Sequence, residues 1–384
     1  MDFTFTSEQQ MLREMVKKFT EKEVRPLALK IDREAKVPME LWKKASELGL
    51  LGIAFPEKYG GAGAGETGYC IMLEELAQGD ASFTVMLGAH ISIGAMSIYL
   101  DGTEEQKQKY LTKMCSGEYI AAFALTEANA GSDAANIETT AVLKGDEYIL
   151  NGTKFYITNG GIADVVIVFA VTDKALGARG GVSALIVESK TPGFKVGREL
   201  DKMGIRGSNT VELIFENVRV PKTNLLGKVG EGFKTAMKSL DRGRLSLSAG
   251  CLGGAKRALE LSINHSKQRI QFGKPIAEQQ AIQWMIADMA AEIYAMESMV
   301  YRAAWAHDQG MRFTREAAIV KMYCSEALDR CVDRGVQIHG GMGFIRECDI
   351  ERAYRDARIN RIFEGTNEIQ RLVIARDVLT KGAY

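Results

Sequence analysis

The chain has 384 residues, of which 46% are hydrophobic and 26% charged, a balance typical of a globular protein with a substantial core. Lysine plus arginine and aspartate plus glutamate each number 49, so the net charge is zero. This balance argues against a nucleic-acid binder that depends on a strongly basic domain, and the length predicts two or three domains.

The N-terminus and the cysteines indicate a reduced, cytoplasmic setting. MDFTFTSEQQ lacks the basic and apolar regions of a signal peptide, and the longest apolar stretches fall well short of the roughly 18 residues that a membrane-spanning helix requires. The six cysteines have no CxxC spacing, and the four histidines form no metal-ligand motif. We therefore expect a cytoplasmic protein without an integral membrane segment or a metal site.

The first third of the chain predicts helices. Apolar residues recur at helical steps within 3–37, where Ser7 and Gln10 have the spacing of a capping box and Pro26 predicts a break. A second helix is expected over 38–48 and is ended by Gly49. Further helical patterns cover 68–78, 82–99 and 104–113.

Short segments rich in β-branched and aromatic residues follow from about Gly117. They cover 119–125, 137–143, 148–150, 165–171, 184–187 and 211–215, and Gly, Asn, Asp and Pro separate them. This pattern predicts a β-barrel or sandwich. Antiparallel pairing is expected, because no crossover helix is evident between the segments.

Helical periodicity returns from about Gly230. It covers 230–267, 278–309, 314–337, 349–357 and 367–380, lengths that suit a four-helix bundle. The predicted fold class is therefore α+β. It has an N-terminal α-helical domain at 1–117, a middle antiparallel β-barrel or sandwich domain at 118–229, and a C-terminal four-helix-bundle domain at 230–384.

The stretch RIFEGTNEIQ at 361–370 places one carboxylate, Glu364, between apolar side chains and the start of the last helix. If that carboxylate is buried, desolvation raises its pKa, which makes it a competent general base near neutral pH. The alternative is an acidic residue that only complements the positive end of a helix dipole.

Three further stretches combine polar residues with glycines between apolar elements. Segment 123–133 could expose amides and hydroxyls to a phosphate or a polar ring edge, or be a decorated turn. Segment 154–161 places Tyr156 and Thr158 on one side of a strand, or enters a hairpin. Segment 337–344 has glycines that permit close approach of a ligand, or that end a helix.

Six motifs occur in the order known from the acyl-CoA dehydrogenase family: TEANAGSD, YITNGG, LDRGR, RIQFGKP, QIHGGMGF and IFEGTNEIQR. The chain resembles that family over essentially its whole length, including the α–β–α division. The resemblance implies FAD bound between the β domain and the C-terminal helices, and oxidation of an acyl-CoA to the 2,3-enoyl-CoA. By this similarity Glu364 removes the α-proton, while the β-hydrogen leaves as hydride to flavin N5.

The resemblance also implies ligand contacts. The FAD contacts would be Phe123, Leu125, Thr126, Gly131, Ser132, Tyr156, Ile157, Thr158, Arg269, Phe272, Gln279, Gln280, Gln337, Ile338, His339, Gly340, Gly341, Thr366, Asn367 and Glu368. The acyl-CoA contacts would be Ser132, Asp241, Arg244, Gly365 and Arg376. Arg269, Phe272 and Gln280 would reach the FAD of a neighbouring subunit. Some subfamilies carry their base at the position of Gly243, so glycine here leaves Glu364 as the only positional candidate.

The same resemblance implies an electron-transferring flavoprotein as electron acceptor, and a homotetramer or homodimer. Two alternatives stay open. One is an enoyl-CoA reductase that runs the chemistry in reverse with a flavoprotein partner, and the other is a flavin-free interaction or assembly protein on the same fold. The wall of the acyl pocket is expected over 83–96, where Gly88, Ala89 and Ser92 are small.

Overall fold

The computed structural model describes residues 4–382, in which helices are followed by a sheet and then by helices again. The N-terminal helices are α1 Ser7–Phe19, α2 Ala28–Glu34, α3 Met39–Glu47, α4 Gly65–Ala77, α5 Ala81–Gly88, α6 Met96–Asp101, α7 Glu104–Gln106 and α8 Thr112–Cys115. The strands are β1 Ala121–Ala124, β2 Thr140–Lys144, β3 Glu147–Thr158, β4 Val165–Val171, β5 Val182–Glu188, β6 Phe194–Glu199, β7 Thr210–Pro221 and β8 Leu225–Leu226, with the short helix α9 Ala178–Gly181 before β5. The C-terminal elements are α10 Gly232–Gln268, β9 Ile270–Gln271, β10 Lys274–Pro275, α11 Gln280–Asp308, α12 Thr314–His339, α13 Asp349–Ala357 and α14 Asn367–Lys381. The predicted α+β class, with helices on both sides of a central sheet in the chain, is confirmed.

Helix α1 begins with a capping box that lies one position before the predicted one. The Thr6 hydroxyl accepts a hydrogen bond from the Gln9 amide, and Gln9 Oε1 accepts one from the Thr6 amide. The prediction of Ser7 and Gln10 is therefore wrong by one residue. Pro26 lies in a 3₁₀ turn that precedes α2, because its ring removes a backbone donor and blocks an α-helical register.

The sheet has the order β6-β7-β3-β2-β4-β5-β8, and β1 joins it by pairing with β4. Most pairs are antiparallel as predicted, but β1 runs parallel to β4, and β2 meets β4 in one parallel pair. The prediction of a purely antiparallel sheet is wrong at these places because the β2–β3 hairpin provides the crossover that no helix provides. Strand β6 lies outside the predicted segments, since the charged residues of FKVGRE weaken its strand pattern.

Alternation along β4 divides the side chains of the sheet between two cores. Val165, Ile167 and Phe169 belong to the core shared with the helices, whereas Val166 and Val168 pack among side chains of the sheet. Successive side chains of a strand point to opposite faces. One face of β4 therefore meets the helices, and the other meets the rest of the sheet, as in a sandwich.

The C-terminal helices are attached to the N-terminal helices along α10. This helix packs beside α11 and α12, and α4 contacts it from the N-terminal part, while α14 packs on α12. A Cβ atom on Gly253 of α10 would lie 2.0 Å from the Glu74 carbonyl oxygen of α4. The two helix backbones therefore approach too closely for any larger residue at this crossing.

One continuous helix over Ala81–Asp101 consists of α5, a π-helical segment and α6. By length and composition it could cross a membrane, so the expectation that no stretch reaches that length is wrong by this measure. It is the single such helix in residues 4–382, and most of it is buried inside the protein. A helix that is apolar all round is also the form expected of a core helix.

We expect Gly253→Ala to destabilise the protein, because its methyl group would overlap the α4 backbone. Overpacking of this kind costs about 1–3 kcal/mol, which urea or thermal unfolding would detect. Gly250→Ala on the same helix is the matched control, since its Cβ would meet only Thr84 Cγ2 at 3.8 Å, and its stability should be unchanged or higher. Equal stability of the two variants would contradict the tight crossing.

Candidate functional site

A cavity of about 1750 Å³ lies between the sheet and the helices and exceeds the roughly 300–1,000 Å³ of a typical small-molecule site. Its wall includes most of the residues that were predicted to contact the flavin ring and the thioester. These lining residues are Phe123, Leu125, Thr126, Gly131, Ser132, Tyr156, Ile157, Thr158, Arg244, Glu364, Gly365, Thr366 and Arg376. Six residues of the segment 83–96, the expected wall of the acyl pocket, also line the cavity: Thr84, Val85, Gly88, Ala89, Ser92 and Ile93.

The other predicted contacts lie away from this cavity wall. They are Asp241, Arg269, Phe272, Gln279, Gln280, Gln337, Ile338, His339, Gly340, Gly341, Asn367 and Glu368. Phe272, in the hairpin after α10, is 96% exposed, whereas Ile338, His339 and Asn367 are buried. His339 stacks on His265 with ring centroids 4.3 Å apart. A single chain therefore brings together only the predicted contacts that line the cavity.

Glu364 combines a strained backbone with a shielded carboxylate. Its φ of 56° lies in the left-handed region, which costs a non-glycine residue about 1–3 kcal/mol. The residue as a whole is half-buried because it faces the cavity, but Oε2 is shielded and has no hydrogen-bond partner in the described chain. Loss of hydration raises the pKa of Glu364 to about 7, and the charges of Arg244 and Lys321 oppose this rise. These properties favour a base over an acidic residue that only serves the helix dipole.

Gly243 provides the space for this carboxylate. A Cβ atom at position 243 would lie 2.2 Å from Glu364 Oε2 and 3.2 Å from Oε1, so the carboxylate rests directly on the α10 backbone. Any larger residue at 243 would displace it.

Three side chains hold the backbone carbonyls of Glu364 and Gly365. Arg244 Nε donates to the Glu364 carbonyl at 3.2 Å, and Gln370 Nε2 donates to both carbonyls at 3.3 and 2.9 Å. Lys321 Nζ donates to the Gly365 carbonyl at 2.8 Å. These hydrogen bonds offset the cost of the left-handed turn and fix the direction of the Glu364 side chain.

Asp241 contributes to the site through Arg244. Its Oδ1 accepts from Arg244 Nη1 at 2.8 Å, and its Oδ2 accepts from the Thr314 hydroxyl at 2.8 Å. The guanidinium is thereby fixed between Asp241 and the Glu364 carbonyl.

On the sheet side, a bulge in β3 turns an aromatic ring toward the cavity. The pairing of β3 with β7 shifts between Lys154 and Ile157, and Tyr156 has a φ of 58°. Bulges of this kind re-aim side chains next to binding sites. Tyr156 is 64% exposed and shares the cavity wall with Thr158. Ile157 also lines this wall, so the bulge interrupts the strand alternation from which a common side for Tyr156 and Thr158 was predicted.

A buried ion pair joins β3 to the loop that follows β1. Lys154 Nζ donates to Glu127 at 2.7 Å and to the Leu125 carbonyl at 2.9 Å. Glu127 also accepts from the amides of Glu138 and Thr139 at 2.7 and 3.0 Å. Burial lowers the pKa of Lys154 to about 8, and Glu127 opposes this shift. The pair fixes the 125–139 segment relative to Tyr156 and Thr158.

Sequence reasoning missed Lys321, Gln370, Glu127 and Lys154. The two lysines left a signal, because each stands in an apolar segment, AAIVKMYC and KFYIT, and a buried ammonium requires acceptors. Gln370 gave no such signal in the sequence, because glutamine is common in helices.

Three family models match successive parts of the chain. The N-terminal domain of acyl-CoA dehydrogenase matches residues 6–118, the middle domain matches 122–218, and the C-terminal domain matches 230–379.

Similar proteins extend over the full length. A probable acyl-CoA dehydrogenase of Bacillus subtilis is 48% identical and covers 99% of this chain and 100% of its own. Acryloyl-CoA reductase (NADH) of Anaerotignum propionicum is 47% identical, covering 99% and 97%. Butyryl-CoA dehydrogenase of Megasphaera elsdenii has a solved structure with a TM-score of 0.97, 44% identity and coverage of 99% and 100%. A chain in the structure of an electron transferring flavoprotein of Acidaminococcus fermentans has a TM-score of 0.97, 46% identity and the same coverage.

We expect Glu364→Gln to stabilise the protein at high pH. The pKa of this acid is raised on folding, so its contribution to stability is fully present below the unfolded value and is lost as pH rises through about 7. The neutral variant should therefore gain on the order of 1–2 kcal/mol above pH 7 and little below pH 5. Thermal unfolding from pH 5 to 8.5 measures this gain. Glu368→Gln, an exposed glutamate at the start of α14, is the control and should show no gain; a gain of equal size there would contradict the assignment.

Proposed function

This chain belongs to the acyl-CoA dehydrogenase family, and we propose that it oxidises an acyl-CoA to the 2,3-enoyl-CoA in an FAD-dependent reaction with Glu364 as the general base. The observation that carries the proposal is the shielded Glu364 carboxylate, which rests on Gly243 at the wall of a large cavity. A carboxylate with a pKa near 7 matches the task of a base at neutral pH.

The sheet side of the cavity fits an isoalloxazine ring. Tyr156 offers an exposed aromatic face, and Thr126 and Thr158 offer hydroxyls on the same wall. Gly131 and Ser132 are exposed at its edge, and a Cβ on Gly131 would meet open space, which leaves their amides free for a phosphate. FAD, when bound, supplies the acceptor for the hydride.

Glu364 takes the α-proton at the carboxylate oxygen that faces the cavity, while Oε2 is shielded against α10 at Gly243. The α-proton of a thioester is a weak acid, so donors to the thioester carbonyl must stabilise the developing enolate. Exclusion of water from Oε2 strengthens the base and the contacts around it. Arg244 and Gln370 keep the base in place by holding its main-chain carbonyl.

Four of the proposed acyl-CoA contacts, Ser132, Arg244, Gly365 and Arg376, lie on one cavity. Asp241 acts through its hydrogen bond to Arg244. The α5 side contributes small and apolar residues, including Val85, Gly88 and Ala89, which suit an uncharged acyl chain.

The remaining FAD contacts are assigned to a neighbouring subunit or to the distal half of the dinucleotide. Arg269, Phe272 and Gln280 belong to the first class, and 337–341, Asn367 and Glu368 belong to the second, next to Thr366 on the cavity wall. Large apolar side chains exposed in this region, Phe272 at 96%, Tyr294 at 75% and Trp284 at 61%, support a homotetramer or homodimer. Light scattering of the purified protein would give the number of subunits.

An electron-transferring flavoprotein is the proposed electron acceptor. The similarity to a chain in the structure of such a flavoprotein supports this assignment. A cytoplasmic location is proposed because all six cysteines are free and five of them are buried, as expected for a reducing compartment.

We expect Glu364→Gln to retain bound flavin but to lose the bleaching of the flavin by acyl-CoA by a factor of at least about 10². Stopped-flow absorbance with a panel of acyl-CoA thioesters measures the rate. Glu66→Gln is the matched control, because Glu66 is also buried with a pKa raised to about 7 by loss of hydration, yet lies away from the cavity wall. Unchanged bleaching in the Glu364 variant would refute the base, and a colourless purified protein would favour the flavin-free alternative.

The reductive direction is the second candidate, because acryloyl-CoA reductase is 47% identical over nearly the whole chain. Turnover should be measured in both directions with purified electron-transferring flavoprotein, as acyl-CoA oxidation and as enoyl-CoA reduction. We expect oxidation to give the higher kcat/KM. The opposite ratio would assign the chain to the enoyl-CoA reductases.

A further inference from the structure

Lys321 is a fully buried cation on α12 that lies beside the Glu364 turn without lining the cavity. Its ammonium donates to the Gly365 carbonyl at 2.8 Å and to Asn367 Oδ1 at 2.8 Å. Gly365 follows the base directly, and Asn367 is the first residue of α14. A single side chain therefore joins α12, the left-handed turn and the last helix.

The Asn367 side chain is itself fixed by residues of α12. Its Nδ2 donates to the Ser325 hydroxyl at 2.9 Å and to Glu326 at 3.1 Å. The start of α14 is thereby attached to the helix that carries Lys321. Because φ is 56° at Glu364 and 89° at Gly365, the turn between these attachments needs such support.

Lys321 has no carboxylate within 4.0 Å of its nitrogen among residues 4–382, although it is fully buried. Both of its acceptors are neutral, so the charge itself is not matched by an ion pair. An unpaired buried ammonium is destabilising, and purely structural contacts to a carbonyl and an amide do not require a charge. Burial lowers the pKa of Lys321 to about 8, and Cys251 and Glu364 oppose this shift, so the ammonium is charged at the pH near 7 at which Glu364 titrates. Glu364 immediately precedes Gly365, whose carbonyl accepts the hydrogen bond from Lys321.

The charged and titratable groups around the pair come from four elements. Arg244 and Cys251 face it from α10, Glu368 from α14, and Tyr69 from α4, while Lys321 is the contribution of α12. Arg244 and Lys321 are the two cations of this set, and Arg244 is already neutralised by Asp241 at 2.8 Å.

We propose that Lys321 is a positioning residue that holds the Glu364 turn by its hydrogen bonds and keeps the Glu364 carboxylate ionised by its charge. This assignment rests on the proposed role of Glu364 as the base. Removal of the charge raises the pH at which Glu364 loses its proton, because an adjacent cation favours the ionised form.

The test compares Lys321→Met, which has a similar length but no charge, with Ser325→Ala, which removes a neutral contact from the same network. Two measurements are made on the flavin-loaded protein. Infrared titration follows the protonated carboxyl band that is absent from Glu364→Gln, and stopped-flow absorbance gives the pH profile of flavin bleaching. The band needs no turnover, so it reports on Glu364 even in a slow variant.

In Lys321→Met we expect the titration midpoint and the acid limb of the pH profile to move up together by about one pH unit. Ser325→Ala should lower the unfolding temperature and leave both unmoved. An unshifted midpoint in Lys321→Met, or an equal shift in both variants, would overturn the proposal.

Lys321→Gln, which keeps a donor for the Gly365 carbonyl, is the second neutral variant and should show the same upward shift. Failure of both neutral variants to fold would assign Lys321 to stability alone and overturn the proposal. If the unmodified protein is not bleached by acyl-CoA, or if Glu364→Gln bleaches as fast, the proposed function fails instead. The infrared midpoint then still decides the role of Lys321.

Discussion

The contact between the Glu364 carboxylate and the bare α10 backbone at Gly243 is the constraint on which the site depends. A carboxylate placed there loses water on one side, and its pKa rises to about 7. The contact requires a glycine on one helix and a left-handed turn before another. Neither feature stabilises the protein, and both are offset by hydrogen bonds from Arg244, Lys321 and Gln370.

On both walls of the cavity, a residue with a strained backbone lies beside buried charged side chains. On the helix side a strained Glu364 is held by buried cations, and on the sheet side a strained Tyr156 follows a buried lysine that is paired with Glu127. Strain of this kind persists only where the surrounding structure over-determines it. The rigid α10–α4 crossing at Gly253 and the two cores of the sheet supply that surrounding structure.

Element type was predictable where the periodicity was long and uninterrupted. The C-terminal helices form within one or two residues of their predicted bounds, because each carries several turns of an apolar stripe. The wrong predictions concern features that depend on only a few residues or on distant pairing: the cap at Thr6, the charged strand β6 and the parallel β1–β4 pair. The parallel pair could not be predicted from adjacent residues, since a hairpin replaces the expected crossover helix.

The α–β–α order, the family resemblance and the assignment of Glu364 as the candidate base could be read from residue type, spacing and motif order. Three features appear only in the folded chain: Glu364 rests on Gly243, Lys321 binds the Gly365 carbonyl with no carboxylate within 4.0 Å among residues 4–382, and one chain brings together only the cavity-lining group of predicted contacts. Desolvation and strain depend on which distant segments meet. Positions 243, 321 and 364 are far apart in the chain, and no local pattern encodes their contact.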